Sequence, residues 1–109
     1  MDLLKKVKSL DKNGKLPRLY SQENKKPEDV IIACKFFDPC GSWTWYVTEG
    51  DVCPYQEYRF FGLVRGFEAE LGYFGLKELR EVKTRFGLGI EMDLHFGKHT
   101  LAEAQAKQI

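Results

Sequence analysis

Four carboxylates in the middle of the chain, Glu49, Asp51, Glu68 and Glu70, are the residues that could support acid–base hydrolysis. A glycosidase-type pair needs its carboxyl groups ~5–10 Å apart. The aromatic run from Tyr58 to Val64 reads as a strand between the two acidic regions, and seven strand residues span ~23 Å. Glu49 and Glu68 are therefore not expected to meet. Glu68 and Glu70 fall within one turn, where acids are usually just solvated. No catalytic residue is assigned, and a small enzyme using the acids of the Gly66–Gly72 turn is the weakest of three functional readings.

The other candidate chemistries are thinner. His95 and His99 have the i,i+4 spacing of a helical metal pair, but Gly97 interrupts them and no HExxH pattern is present. No CxxC element supports a zinc site, so no metal is assigned. Cys34 lies in an apolar run and reads as an inert small hydrophobe. Cys40 lies in a turn, with no legible partner for a Cys–His nucleophile. No glycine-rich phosphate loop occurs, and no cofactor is expected.

These residues must be positioned by a fold of 109 residues, expected to form a single domain, 1–109. Hydrophobic residues make up 43% and charged residues 30%, an ordinary globular balance. Cys34, Cys40 and Cys53 are an odd number at irregular spacing, unlike a secreted disulfide framework, so the cytoplasm is the expected compartment. The longest aliphatic stretch, Val30–Ala33, is too short to span a membrane, and the lysine-punctuated N-terminus lacks a signal peptide's apolar region. No membrane partner is expected.

Charge is unevenly spread. Met1 to Lys26 carries eight basic residues against three acidic, and the remainder nine against thirteen, so the two parts are +5 and −4. Such asymmetry can mark a nucleic-acid-binding arm, with Lys5, Lys6, Lys8 and Lys12 as its footprint. The plainer reading is an amphipathic helix with lysines on its wet face, since Leu3, Leu4, Val7 and Leu10 recur at helical spacing behind a cap at Asp2.

Twelve of the fifteen aromatics lie between Phe36 and Phe74. Val30–Phe37, Trp43–Thr48 and Tyr58–Val64 read as adjacent antiparallel strands, with Tyr58–Val64 in the interior and a short fourth strand at Tyr73–Phe74. Glu49–Gln56 reads as a turn region, and Ser21–Asp29 as a polar loop. A helix is expected over Leu76–Phe86, supported by a Glu81–Arg85 pair, and a last one over Leu101–Lys107 behind a Thr100–Glu103 capping box. Ile90–Phe96 stays open between strand and helix. The fold class is α+β: an antiparallel meander of three to four strands with helices packed on one face. Trp43 and Trp45 are expected to share the face under the helix.

Three longer segments carry a resemblance. Leu16-Pro17-x-Leu19-Tyr20-Ser21-Gln22-Glu23, then Trp43-Thr44-Trp45-Tyr46-x-Thr48-Glu49-Gly50, then Phe60-Phe61-Gly62-Leu63-Val64-x-Gly66-Phe67-Glu68-x-Glu70-Leu71-Gly72-Tyr73-Phe74 resemble an uncharacterised family of unknown function. The likeness continues through Leu76-x-Glu78-Leu79 and Gly87-Leu88-x-Ile90-Glu91-x-Asp93-Leu94-x-Phe96. The resemblance implies a setting on phages, plasmids and conjugative elements, often near anti-restriction functions, and implies no catalytic residues.

The expected function is that of a non-enzymatic accessory protein of a mobile genetic element. It would act by protein–protein binding and inhibit a host defence system of anti-restriction or anti-CRISPR type. A nucleic-acid-binding accessory protein is the alternative. The segment Asp38–Gly75 has six acids and two basic residues, which disfavours a phosphate partner there. In a meander the Asp38–Ser42 and Gly66–Glu70 turns end at the same pole. Asp38, Glu68 and Glu70 are thus expected to ring Phe67 as a partner-facing edge suited to a basic protein surface. The competing expectation is that Phe67 is buried and the glycines serve only the turns.

Overall fold

The structure is a computed structural model and describes residues 2–84 and 87–109. Helix α1 spans Leu3–Lys12. A single 3-10 turn at Pro27–Asp29 leads into strand β1 (Cys34–Phe37). Strands β2 (Thr44–Cys53), β3 (Glu57–Arg65) and β4 (Ala69–Gly75) follow. Then come α2 (Leu76–Glu81), β5 (Glu91–Met92) and α3 (Leu101–Ala106). The sheet has the order β4-β3-β2-β1-β5, every neighbouring pair antiparallel. The α+β class and the antiparallel meander stand as expected, with β3 in the interior. The two-residue β5 raises the strand count to five.

Alternation along the strands divides the sheet into two faces. Val47 packs with Phe36, Phe60 and Phe74 beneath α1 and α2, where Leu3, Val7, Leu76 and Leu79 are buried. Tyr46, its chain neighbour, points the other way and packs with Leu63, Val30 and Ile32 against Leu101 and Ala104 of α3. Helices therefore cover both faces rather than one. Arg65 ties α3 down by donating to the carbonyls of Ala104 (2.9 Å) and Gln105 (3.0 Å). These are carbonyls at the end of a helix, which the helix itself leaves unpaired.

β2 continues through Cys53, into the expected turn region Glu49–Gln56, and stays paired with β3 there. Gly50 pairs with Phe60, Asp51 with Arg59 and Val52 with Tyr58. The turn is expected there because Gly50 and Pro54 are turn-forming residues that strands disfavour. Pairing to the aromatic β3 outweighs that preference.

The same strand carries a β-bulge at Thr48. Val47 pairs with Gly62, and the next pair is Glu49 with Phe61. The extra residue turns Glu49 onto the face opposite Val47. Thr48 Oγ1 donates to the Phe61 carbonyl at 3.0 Å, and Gln22 Nε2 donates to the Thr48 carbonyl at 2.8 Å. Gly62 is needed here: a Cβ on it would lie 1.8 Å from the Tyr46 carbonyl oxygen. The Ser21–Asp29 loop is thus not wholly solvated, since Gln22 is buried.

α2 stops at Glu81, and Val82 is exposed. A longer helix was expected, but Thr84 bonds the Leu88 carbonyl through its backbone N–H and its hydroxyl. Arg85 and Phe86, and with them the Glu81–Arg85 pair, lie outside the described residues. The capping box at Thr100–Glu103 forms as read from sequence.

Candidate functional site

Two concave surfaces sit on the β3–β4 side of the sheet, on opposite faces. The first is the pole that sequence reading singled out. Phe37 pairs with Thr44, Thr44 with Arg65 and Arg65 with Ala69, so the Asp38–Ser42 and Gly66–Glu68 turns do lie at one end. Trp43, Val64, Phe67, Glu68 and Glu70 line a hollow there. Phe67 is 95% exposed and meets Trp43 edge-on, with ring centroids 5.5 Å apart. Trp43 in turn lies over Gly66, where any Cβ would come within 2.3 Å of the indole. The expectation of a buried Phe67 does not hold.

Asp38 is placed differently from Phe67, Glu68 and Glu70. Its Oδ1 accepts from the Cys40 N–H at 2.8 Å, closing its own turn, and it is not among the residues lining the hollow. The tryptophans do share a face, 6.0 Å apart. Trp45 packs against the main core, whereas Trp43 is exposed and belongs to the hollow. The pairing period alone could not separate them, because Trp43 precedes the first ladder residue and only the Gly66 turn decides what covers it.

The second surface is a cleft of about 290 Å³ on the other face. Its floor is a row of three directly paired residues, Glu49 on β2, Phe61 on β3 and Tyr73 on β4. Leu71, Val30 and Leu101 add apolar wall, and the Tyr20–Pro27 segment forms the rim. Phe61 and Tyr73 pack edge-on at 5.0 Å, and Tyr20 and Tyr73 lie 6.4 Å apart. Arg59 sits 4.3 Å over the Tyr73 ring. The Tyr20 hydroxyl beside it is the main influence raising the Tyr73 phenol above its ordinary pKa, with burial and the Glu49 carboxylate adding to it.

Glu49 is 5% exposed. Its Oε1 accepts from the Tyr20 backbone N–H at 2.7 Å. Tyr20 holds a left-handed φ of +69°, a conformation costly for a residue with a bulky side chain. Leu19 N–H donates to Asp51 at 3.0 Å, Arg18 pairs with Asp51 at 3.0 Å, and Gly50 N–H donates to the Pro17 carbonyl at 2.8 Å. The Pro17–Tyr20 segment is thus stapled to β2, which fixes the rim. Sequence reading missed this cleft because it placed Glu49 in a turn and Gln22 in a loop. The one sequence signal was the grouping itself: the Leu16–Glu23, Trp43–Gly50 and Phe60–Phe74 segments all contribute residues to it.

The remaining candidates are scattered. Lys5, Lys8 and Lys12 are exposed on α1, with Lys6 half-buried. His95 donates its backbone N–H to Asp93, and His99 Nδ1 lies 3.0 Å from Glu103 within the α3 cap. Among the described residues no group of three His, Cys, Asp or Glu could hold a metal ion. Cys34, Cys40 and Cys53 are unpaired, and burial pushes the Cys34 thiol up to about 12. No described helix is long and apolar enough to cross a membrane.

A family model described as "Protein of unknown function (DUF2958)" matches residues 6–107. No curated protein and no solved structure matches the chain.

Proposed function

The chain belongs to that family, and we propose that it is a non-enzymatic accessory protein of a mobile genetic element that works by binding another protein in the cytoplasm. The observation that carries this reading is Phe67. A phenylalanine left 95% exposed, held on Trp43 and flanked by Glu68 and Glu70, has the make-up of an interface anchor with a charged rim. The acids favour a basic protein surface over a nucleic acid. The genomic setting implied by the family resemblance makes a host defence component, of restriction or CRISPR type, the proposed target.

The test is recovery of partners from host lysate on the tagged chain, compared with Phe67→Ser and with the pair Glu68→Lys and Glu70→Lys. These positions are exposed, so folding should be retained while the partner is lost. Unchanged recovery of every partner overturns the reading. If recovery instead depends on Lys5, Lys8 and Lys12 and falls steeply with salt, α1 is a nucleic-acid footprint and the alternative reading replaces it.

A further inference from the structure

The Glu49 cleft carries a property that the Phe67 edge does not. A carboxylate withdrawn from water is costly unless it is paired and hydrogen-bonded. Glu49 is 5% exposed, yet its one hydrogen bond among the described residues comes from the neutral Tyr20 N–H, to Oε1. No ion pair among the described residues uses it. Oε2 has no protein donor among the described residues. Glu57 Oε1 is the only sealed, unpartnered side-chain atom among the described residues, so Glu49 Oε2 keeps contact with the cleft. The residue is placed there by the Thr48 bulge, and its orientation is held by the left-handed Tyr20.

The walls complete the chemistry. Tyr20 and Phe61 each lie tilted against Tyr73 beside the carboxylate, and such rings attract a cation by their quadrupoles. Tyr73 already accepts the Arg59 guanidinium on one face, at 4.3 Å. Leu71 and Val30 supply apolar surface for a methylene stem. An anion would face the Glu49 charge, which no described cation neutralises in an ion pair. A metal ion would find too few ligands, since no described trio of acids, histidines or cysteines converges.

We propose that the cleft is a binding site for an organic cation the size of a lysine or arginine side chain. The ammonium or guanidinium pairs with Glu49 Oε2 between Tyr20, Phe61 and Tyr73. Lys25 also lines the cleft. Its charge opposes the incoming group, so it sets an upper limit on affinity.

The experiment is an NMR titration of the ¹⁵N-labelled full chain with Nα-acetyl-argininamide and Nα-acetyl-lysinamide. Nα-acetyl-citrullinamide serves as the neutral isostere. At least one cation should give saturable shifts at Tyr20, Glu49, Phe61 and Tyr73, and citrulline should not. Glu49→Gln keeps an oxygen to accept from Tyr20 while removing the charge, and should weaken binding about tenfold, the scale of a lost charge-assisted contact. Lys25→Ala, an exposed change, should tighten binding and guards against a misfolded Glu49 variant. A third arm offers the same side chain inside an acetyl-Gly-Arg-Gly-amide peptide. Equal binding assigns the site to a protein's side chain, and loss of binding assigns it to a free small cation. The proposal is overturned if no cation gives saturable shifts, or if citrulline binds equally well. It also fails if both variants leave the affinity unchanged. The Glu68→Lys and Glu70→Lys pair lies outside the cleft and should leave these shifts intact, which separates this test from that of the Phe67 edge.

Discussion

The two faces of the sheet are covered unequally. Beneath α1 and α2, thirteen buried residues among those described form one continuous cluster, in which Phe60 is stacked on Tyr58 and tilted against Phe36 and Phe74. The α3 face has a cluster of six. It also holds Thr44, Glu49 and the Gln22 contact to Thr48, the polar groups that a minimal core would exclude. A short helix covers one end of that face, and a stapled loop leaves the cleft open at the other. One face is organised to hold the fold; the other trades burial for polar contacts and a concave surface.

That contrast can be broken most sharply by paired truncations. Phe60→Ala empties the centre of the larger cluster and should cost ~3–5 kcal/mol in denaturant unfolding. Leu63→Ala, on the α3 face, should fall at the low end of ~2–5 kcal/mol because the smaller cluster can collapse around it. If Leu63→Ala proves the costlier of the two, the unequal division between faces is wrong.

Gly62→Ala tests the device that sends Glu49 to the second face. The added methyl would strike the Tyr46 carbonyl, so overpacking should destabilise by ~1–3 kcal/mol. The Tyr20 amide resonance should also shift as its bond to Glu49 loosens. A neutral substitution would mean that the bulge does not depend on this close approach.

Tyr46→Phe sharpens the polar side of the comparison. It removes the hydroxyl that accepts from the Ile109 N–H at 3.0 Å and should cost about 1 kcal/mol by equilibrium unfolding. Thiol reactivity gives the smallest effect, one that leaves stability untouched. Cys34 sits in the larger core with its pKa raised to about 12, so it stays protonated and unreactive as pH rises from 7 to 9. Cys40 and Cys53, both partly exposed, should label first in the native state. Early labelling of Cys34 would show that the α1–α2 face opens more readily than its packing implies.

The sequence by itself determined the antiparallel aromatic sheet, because turn-bounded runs of β-branched and aromatic residues leave few other ways to bury them. It also determined α1 and the start of α3, where Asp2 and Thr100 supply local caps that need no tertiary help. The shared pole of the Asp38 and Phe67 turns followed from meander topology alone. Local pattern did not decide which residues that pole exposes, since Phe67 reads as core by type and is left exposed by its turn. Nor could it place Glu49. A bulge is one extra residue in a register, and register exists only between strands. Gly62, from thirteen positions further along the chain, makes room for it, and Tyr20, from twenty-nine positions earlier, supplies its amide. The cleft therefore became visible only when three distant segments were brought against one another.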